Sequence, residues 1–114
     1  MKKFLYILVC ILFSTNLYAD DELAKDKIYF FTHTGCPYCE MAEKHIAQNR
    51  SNAAIEVISI DKPEGFYLFK KCAEKFKLGK NIGTPLFCIG DEYLMGWSTE
   101  NQQRFDELSS KFIQ

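Results

Sequence analysis

The chain has 114 residues, 47% of them apolar and 25% charged, and its 14 Lys+Arg nearly balance its 15 Asp+Glu. That profile belongs to an ordinary globular domain; it excludes a disordered tail, and the balanced charge excludes a basic nucleic-acid binder. A domain this small hides only roughly 60% of the surface its unfolded chain would expose, so there is material for one modest core and a use for crosslinks.

Lys2 and Lys3 lead into an apolar run from Phe4 to Phe13, followed by Ser14 to Asn16 and then Leu17-Tyr18-Ala19. A basic start, a short apolar stretch and a small residue at its end mark a secretory signal peptide over 1–19, with cleavage expected after Ala19. The run falls short of the roughly 20 residues a spanning helix needs. Bulky Val9 argues against lipid processing at Cys10, which therefore leaves with the signal. Losing two lysines moves the formal charge from −1 to about −3. Export, to a periplasm or to the medium, would place Cys36, Cys39, Cys72 and Cys88 where disulfides persist, and four cysteines allow three pairings.

Residues 20–26 read as a polar leader and 27–114 as the domain. Ile28 to Thr32 is a short β-branched and aromatic run without charge, as expected of a central strand covered on both faces. After the His33-Thr34-Gly35 turn, Pro37 suits the first turn of a helix, with Met41, Ala42, His45 and Ile46 along one face and a fade into Asn49 to Asn52. Ile55 to Ile60 is a second strand, joined to the first by a helix and therefore expected to lie parallel to it. Glu64 to Phe76 carries Phe66, Phe69, Cys72, Ala73 and Phe76 on one helical stripe. Leu86 to Ile89 and Glu92 to Met95 flank Gly90-Asp91, a pair suited to a two-residue hairpin turn. Thr99-x-x-Gln102 resembles a capping box, and Phe105, Leu108 and Phe112 make the stripe of a last helix.

Chemistry concentrates in Cys36-Pro37-Tyr38-Cys39, where a strand hands over to a helix. Two intervening residues bring both sulfurs to one side of the first turn, so a reversible disulfide can form. Cys36 meets the unpaired N–H groups and the positive end of the helix dipole, which favour its thiolate and make it the attacking sulfur. Pro37 holds the turn, and Cys39, further inside, resolves a mixed disulfide. A zinc knuckle would need two more close ligands, and Cys72 and Cys88 stand apart on a helix and a strand. A purely structural bridge across so short a loop would add little. Thr84-Pro85, just ahead of the third strand, takes its meaning from this company.

Over Lys27 to Phe112 the chain resembles the thioredoxin-fold superfamily at glutaredoxin size. Phe31-Thr32-His33-Thr34-Gly35-Cys36-Pro37-Tyr38-Cys39 is similar to the glutaredoxin strand and active site, and the same four-residue motif occurs in periplasmic Dsb-type proteins. Gly83-Thr84-Pro85 is similar to their cis-proline loop, with the threonine of the periplasmic isomerases where glutaredoxins usually carry valine. Gly96-Trp97 matches the glycine that admits a substrate backbone. The resemblance implies an α/β, thioredoxin-like β-α-β-α-β-β-α fold, a four-stranded mixed sheet flanked by three helices. It also implies a cis Pro85 beside the cysteine pair, and a substrate lying across Gly35, Tyr38, Thr84, Gly96 and Trp97. Phe30 stands where thioredoxin has a buried aspartate, and Met95-Gly96-Trp97-Ser98 replaces the double glycine and acidic pair with which glutaredoxins hold glutathione.

Cys72 and Cys88 are either two buried small hydrophobes or a structural disulfide that closes a short loop. His33, three residues before Cys36, is either a plain turn residue or a tuner of the thiolate. His45 reads as a boundary residue of the first helix, and Glu40 and Glu43 suit the helix dipole. The expected function is that of an exported thiol–disulfide oxidoreductase, a monomer exchanging disulfides with client proteins and recycled by a membrane or soluble redox partner. It needs no cofactor beyond its own redox-active disulfide, and no metal. Two alternatives stand beside it: a glutathione-linked, glutaredoxin-like reductase, and a non-enzymatic module using Cys36 and Cys39 for a soft metal or in a chaperone.

Overall fold

The computed structural model describes residues 23–113, so the expected signal peptide and the first residues of the leader lie outside the described residues. The elements follow in the order β1 (Ile28–Thr32), α1 (Pro37–Asn49), β2 (Ile55–Ser59), α2 (Pro63–Lys75), β3 (Leu86–Ile89), β4 (Glu92–Met95) and α3 (Thr99–Ser109), with a final 3₁₀ turn at Ser110–Phe112. The four strands form one sheet in the order β2-β1-β3-β4. β1 runs parallel to β2 and antiparallel to β3, and β3 pairs antiparallel with β4.

The two central strands are the apolar ones. Ile28 to Phe31 and Leu86 to Ile89 are all buried, whereas the edge strands expose Glu56, Val57, Glu92 and Tyr93. The edge charges are paired, Glu56 with Lys27 and Glu92 with Arg104, which blunts both edges against further strand pairing.

Alternation along β1 and β3 divides the core. Ile28, Phe30, Phe87 and Ile89 face α1 and α3, where they pack with Cys36, Cys39, Ala42, Trp97 and Phe105. Tyr29, Phe31, Leu86 and Cys88 face α2 and pack with Phe69 and Cys72. Leu23, in the leader, also packs on this second face, and the Ala24 N–H donates to the Tyr29 hydroxyl at 2.8 Å.

Three local expectations need correction. The last helix is capped by Ser98, whose Oγ accepts from the Asn101 N–H at 3.1 Å, one residue before the Thr99-x-x-Gln102 box. Asn101 then spends its own side chain on the carbonyls of Met95 and Gly96, at 2.9 and 3.0 Å. Met41 and Phe66, placed on apolar stripes by spacing, are half exposed, because each lies at the margin of the arc its helix buries.

Gly65 explains how closely α2 can lie on β2. A Cβ at this position would stand 1.9 Å from the Ser59 carbonyl oxygen and 3.0 Å from the Ile58 side chain. Alanine is worth about 1 kcal/mol more than glycine in a helix interior, but overpacking against backbone costs about 1–3 kcal/mol, so the clash wins. Gly65→Ala is expected to lower stability by about 1–2 kcal/mol in urea unfolding; an unchanged or raised midpoint would show that α2 is free to slide.

Candidate active site

Cys36 is the N-cap of α1, in extended backbone, with Pro37 opening the helix behind it. Gly35 precedes it at φ +80°, a conformation that L side chains rarely adopt and that swings the chain from β1 into the helix. The structure holds the oxidised form, a Cys36–Cys39 disulfide with the Cα atoms 5.2 Å apart. Two donors reach the Cys36 sulfur: the Cys39 backbone N–H at 3.1 Å and the Thr84 hydroxyl at 3.5 Å. Both stabilise negative charge there, in addition to the positive end of the helix dipole.

Thr84 arrives from the other central strand. The Thr84–Pro85 peptide is cis, Pro85 is fully buried, and its carbonyl accepts the Gly96 N–H at 2.8 Å. Gly96 has φ +85° and nothing within 4 Å of the place a Cβ would occupy. The loop carrying Thr84 and the turn carrying Gly96 are thus one hydrogen-bonded unit, further held by the Asn101 amide.

The pair differs in access. Cys39 is 1% exposed and Cys36 5%. Beneath them the core is aromatic, with Phe30 stacked on Phe87 at 4.6 Å and fully buried. A cleft of about 340 Å³ reaches both sulfurs from the side and is lined by Thr32, Ser59, Glu40 and Glu43 among others. A groove of about 430 Å³ starts at Thr84 and His33 and runs over Ile82 and Phe66 between Lys70 and Lys80. On the opposite flank a hollow of about 300 Å³ lies between Tyr38, Gly96 and Asn101.

The expected site residues therefore sort into three kinds. Cys36, Cys39, Pro37, Gly35, Thr84, Pro85 and Gly96 come together at one end of the sheet. Tyr38 stands beside them, 56% exposed. Trp97 does not offer its ring to a substrate: the indole is 7% exposed and packs on Phe87, Phe105 and His45. It anchors the turn from below and leaves only its edge of the hollow beside Gly96. Cys72 and Cys88 are buried, unbridged thiols on the other face of the sheet.

His33 is an exposed turn residue whose Nδ1–H donates to the Thr34 carbonyl at 2.8 Å. His45 ties α1 to α3: its Nε2–H donates to the Asp106 carboxylate at 2.8 Å while Nδ1 accepts from Asn49 at 3.2 Å. Among the described residues no group of three or more His, Cys, Asp or Glu is placed to share a metal ion. No helix among them is long and apolar enough to cross a membrane.

Asp61, two residues past the end of β2, positions the loop that leads into Cys36. Its Oδ2 accepts from both the backbone N–H and the hydroxyl of Thr34, each at 2.9 Å. The two residues are 27 apart in the chain, and no local signal links them.

No protein-family model matches the chain, and no curated protein does. Solved structures do. A buckwheat glutaredoxin in complex with glutathione is similar over 87% of this chain and 88% of its own, at 20% identity and a TM-score of 0.56. The holo form of glutaredoxin C1 from Populus tremula × tremuloides is similar over 87% of both chains, at 22% identity and a TM-score of 0.55. A glutaredoxin from Archaeoglobus fulgidus is similar over 72% of this chain and 84% of its own, at 23% identity and a TM-score of 0.53. The fold is thioredoxin-like, in its glutaredoxin form. The expected element order and the mixed four-stranded sheet are those observed.

Hydrogen bonding to Thr34 lowers the Asp61 pKa below its ordinary 3.8. The tether therefore contributes fully above that value and fades as pH falls through the lower folded-state value. The Thr34 amide resonance is expected to titrate with a midpoint below 3.8, and Asp61→Asn to abolish that titration. A midpoint at or above the ordinary value contradicts the tether.

Proposed function

We propose that the protein is an exported thiol–disulfide oxidoreductase that exchanges disulfides with client proteins through Cys36 and Cys39. The observation that carries this reading is the Cys36 sulfur at the N-cap of α1, receiving the Cys39 N–H and the Thr84 hydroxyl beside the Thr84–Pro85 loop. Donors aimed at a sulfur at a helix start favour the thiolate, which is the reactive form in disulfide exchange.

In the reducing direction the Cys36 thiolate attacks one sulfur of a client disulfide. A Cys36–client mixed disulfide forms, and the other client sulfur leaves as a thiolate and takes up a proton. The Cys39 thiol gives its proton to water in the cleft lined by Glu40 and Glu43. Its thiolate then attacks Cys36, restoring the intramolecular disulfide and releasing the second client thiol. Two electrons pass from the cysteine pair to the client. Run backwards, the same steps oxidise a client dithiol, and the direction in the cell follows from the potential of the partner that recycles the pair.

A polypeptide client suits the surroundings of Cys36. Tyr38 and Phe66 expose apolar rings near the site, 56% and 48% accessible, and backbone groups of Thr84 and Gly96 border open space. Glutathione is the second reading. It is supported by the likeness to a glutaredoxin solved with glutathione and by the groove beside Thr84, whose Lys70 and Lys80 can meet a carboxylate. Export rests on the signal-peptide pattern of residues 1–19, and a periplasmic or secreted destination follows from it.

Substituting the two cysteines separately tests the reading. Cys36→Ser is expected to reduce disulfide turnover to the uncatalysed level. Cys39→Ser is expected to retain the first attack and accumulate mixed disulfides with clients, visible as thiol-sensitive bands on non-reducing gels. Turnover that persists in Cys36→Ser would sink the assignment. Trapping of glutathione alone, with no protein adducts, would move the small-thiol reading to first place.

A further inference from the structure

Cys72 and Cys88 take no part in the chemistry above. They lie on the α2 face of the sheet, whereas Cys36 and Cys39 lie on the α1 and α3 face. With β1 and β3 fully buried between them, the two pairs cannot exchange within one folded molecule.

Two contacts, both just past Cys72, join the end of α2 to the β3–β4 hairpin that carries Cys88. Lys75, one turn after Cys72 on α2, donates its ammonium to the Gly90 carbonyl, two residues after Cys88. Phe76, four residues after Cys72, packs its ring 5.1 Å from that of Tyr93, the cross-strand partner of Cys88. The last turn of α2 is thereby fixed over the end of β3, with Cys72 0% and Cys88 3% exposed in one apolar cluster.

We propose that Cys72 and Cys88 are a second dithiol, closed by a low-molecular-weight disulfide into an intramolecular bridge that staples α2 to the sheet and is structural, not catalytic. One of the two thiols loses its proton and attacks one sulfur of the oxidant, forming a mixed disulfide and releasing one small thiol. The other thiol, after losing its proton, attacks the first sulfur and releases the second small thiol. One S–S bond of the oxidant is exchanged for one in the protein, and two electrons pass to the oxidant.

The neighbouring Cys88, together with burial, raises the Cys72 pKa. The neighbouring Cys72 lowers the Cys88 pKa, with the Lys75 ammonium acting in the same sense.

The test uses the whole protein carrying Cys36→Ser and Cys39→Ser, so that only the second pair can bridge within the described residues. Oxidised glutathione is applied to the folded protein and, in parallel, during refolding from urea. Free thiols are then blocked under denaturing conditions, and tryptic peptides are mapped by mass. The expected product is one linked pair of peptides, containing Cys72 and Cys88 and lacking two hydrogens, in a protein with unchanged circular dichroism and a Tm raised by roughly 10 °C. Cys72→Ala, which keeps the fold testable with a single thiol left in the pair, is expected to lose the oxidant-dependent rise. Blocked or singly glutathionylated cysteines in both arms, linkage to any other cysteine, or a bridged product that has lost the native spectrum would overturn the proposal. None of these readouts depends on Cys36 or Cys39, so the outcome is separate from that of the proposed activity.

Discussion

The candidate active site depends on the antiparallel pairing of β1 with β3 at the centre of the sheet. The register matches Phe31 with Leu86, so the chain leaving β1 and the chain entering β3 emerge side by side at one end. Cys36 lies on the first and Thr84–Pro85 on the second. A sulfur at a helix start and a hydroxyl 48 residues later in the chain meet only because two apolar strands cannot slip relative to each other. A slip of either strand by one residue would send its own phenylalanine, Phe30 or Phe87, to the α2 face and separate the loops from their supports.

Burial on both faces is what makes this register firm, and it also explains the division of labour. On one face the aromatic stack of Phe30, Phe87, Phe105 and Trp97 fills the space under the cysteine pair, and among the described residues no carboxylate is buried there. The side cleft lined by Glu40 and Glu43 is where the proposed activity would move the Cys39 proton. On the other face Phe31, Phe69 and Leu86 seat α2, whose approach requires Gly65 and whose far end carries Cys72 over Cys88. Each face holds one cysteine pair, and the sheet insulates one from the other.

What was legible in the sequence was whatever is local. The strands β1, β3 and β4 begin and end where β-branched and aromatic runs meet turn residues, and Cys36 caps α1 because Gly35 and Pro37 flank it. The Cys36–Cys39 pairing follows from their spacing alone. Long-range partnerships were not legible. Asp61 reaches Thr34 across 27 residues, His45 reaches Asp106 across 61, and neither carries a motif. Trp97 is ambiguous in the sequence because a large aromatic beside the site suits a substrate platform as well as a core. Only the packing of Phe87 and Phe105 against it decides. The cap at Ser98 was missed by one residue because Thr99 offers the same chemistry, and the choice was made by Asn101, which is committed to the Gly96 turn.

The account stands or falls on whether Cys36 and Cys39 act as one reversible couple. Equilibrating the protein in graded glutathione redox buffers, quenching with acid and reading alkylation of each cysteine by mass tests this directly. The two are expected to change state together, in both directions, with a tenfold change in their ratio for about every 30 mV, the slope of a two-electron exchange. Independent titration of Cys36 and Cys39, or a pair that stays in one state across the whole range, would contradict it.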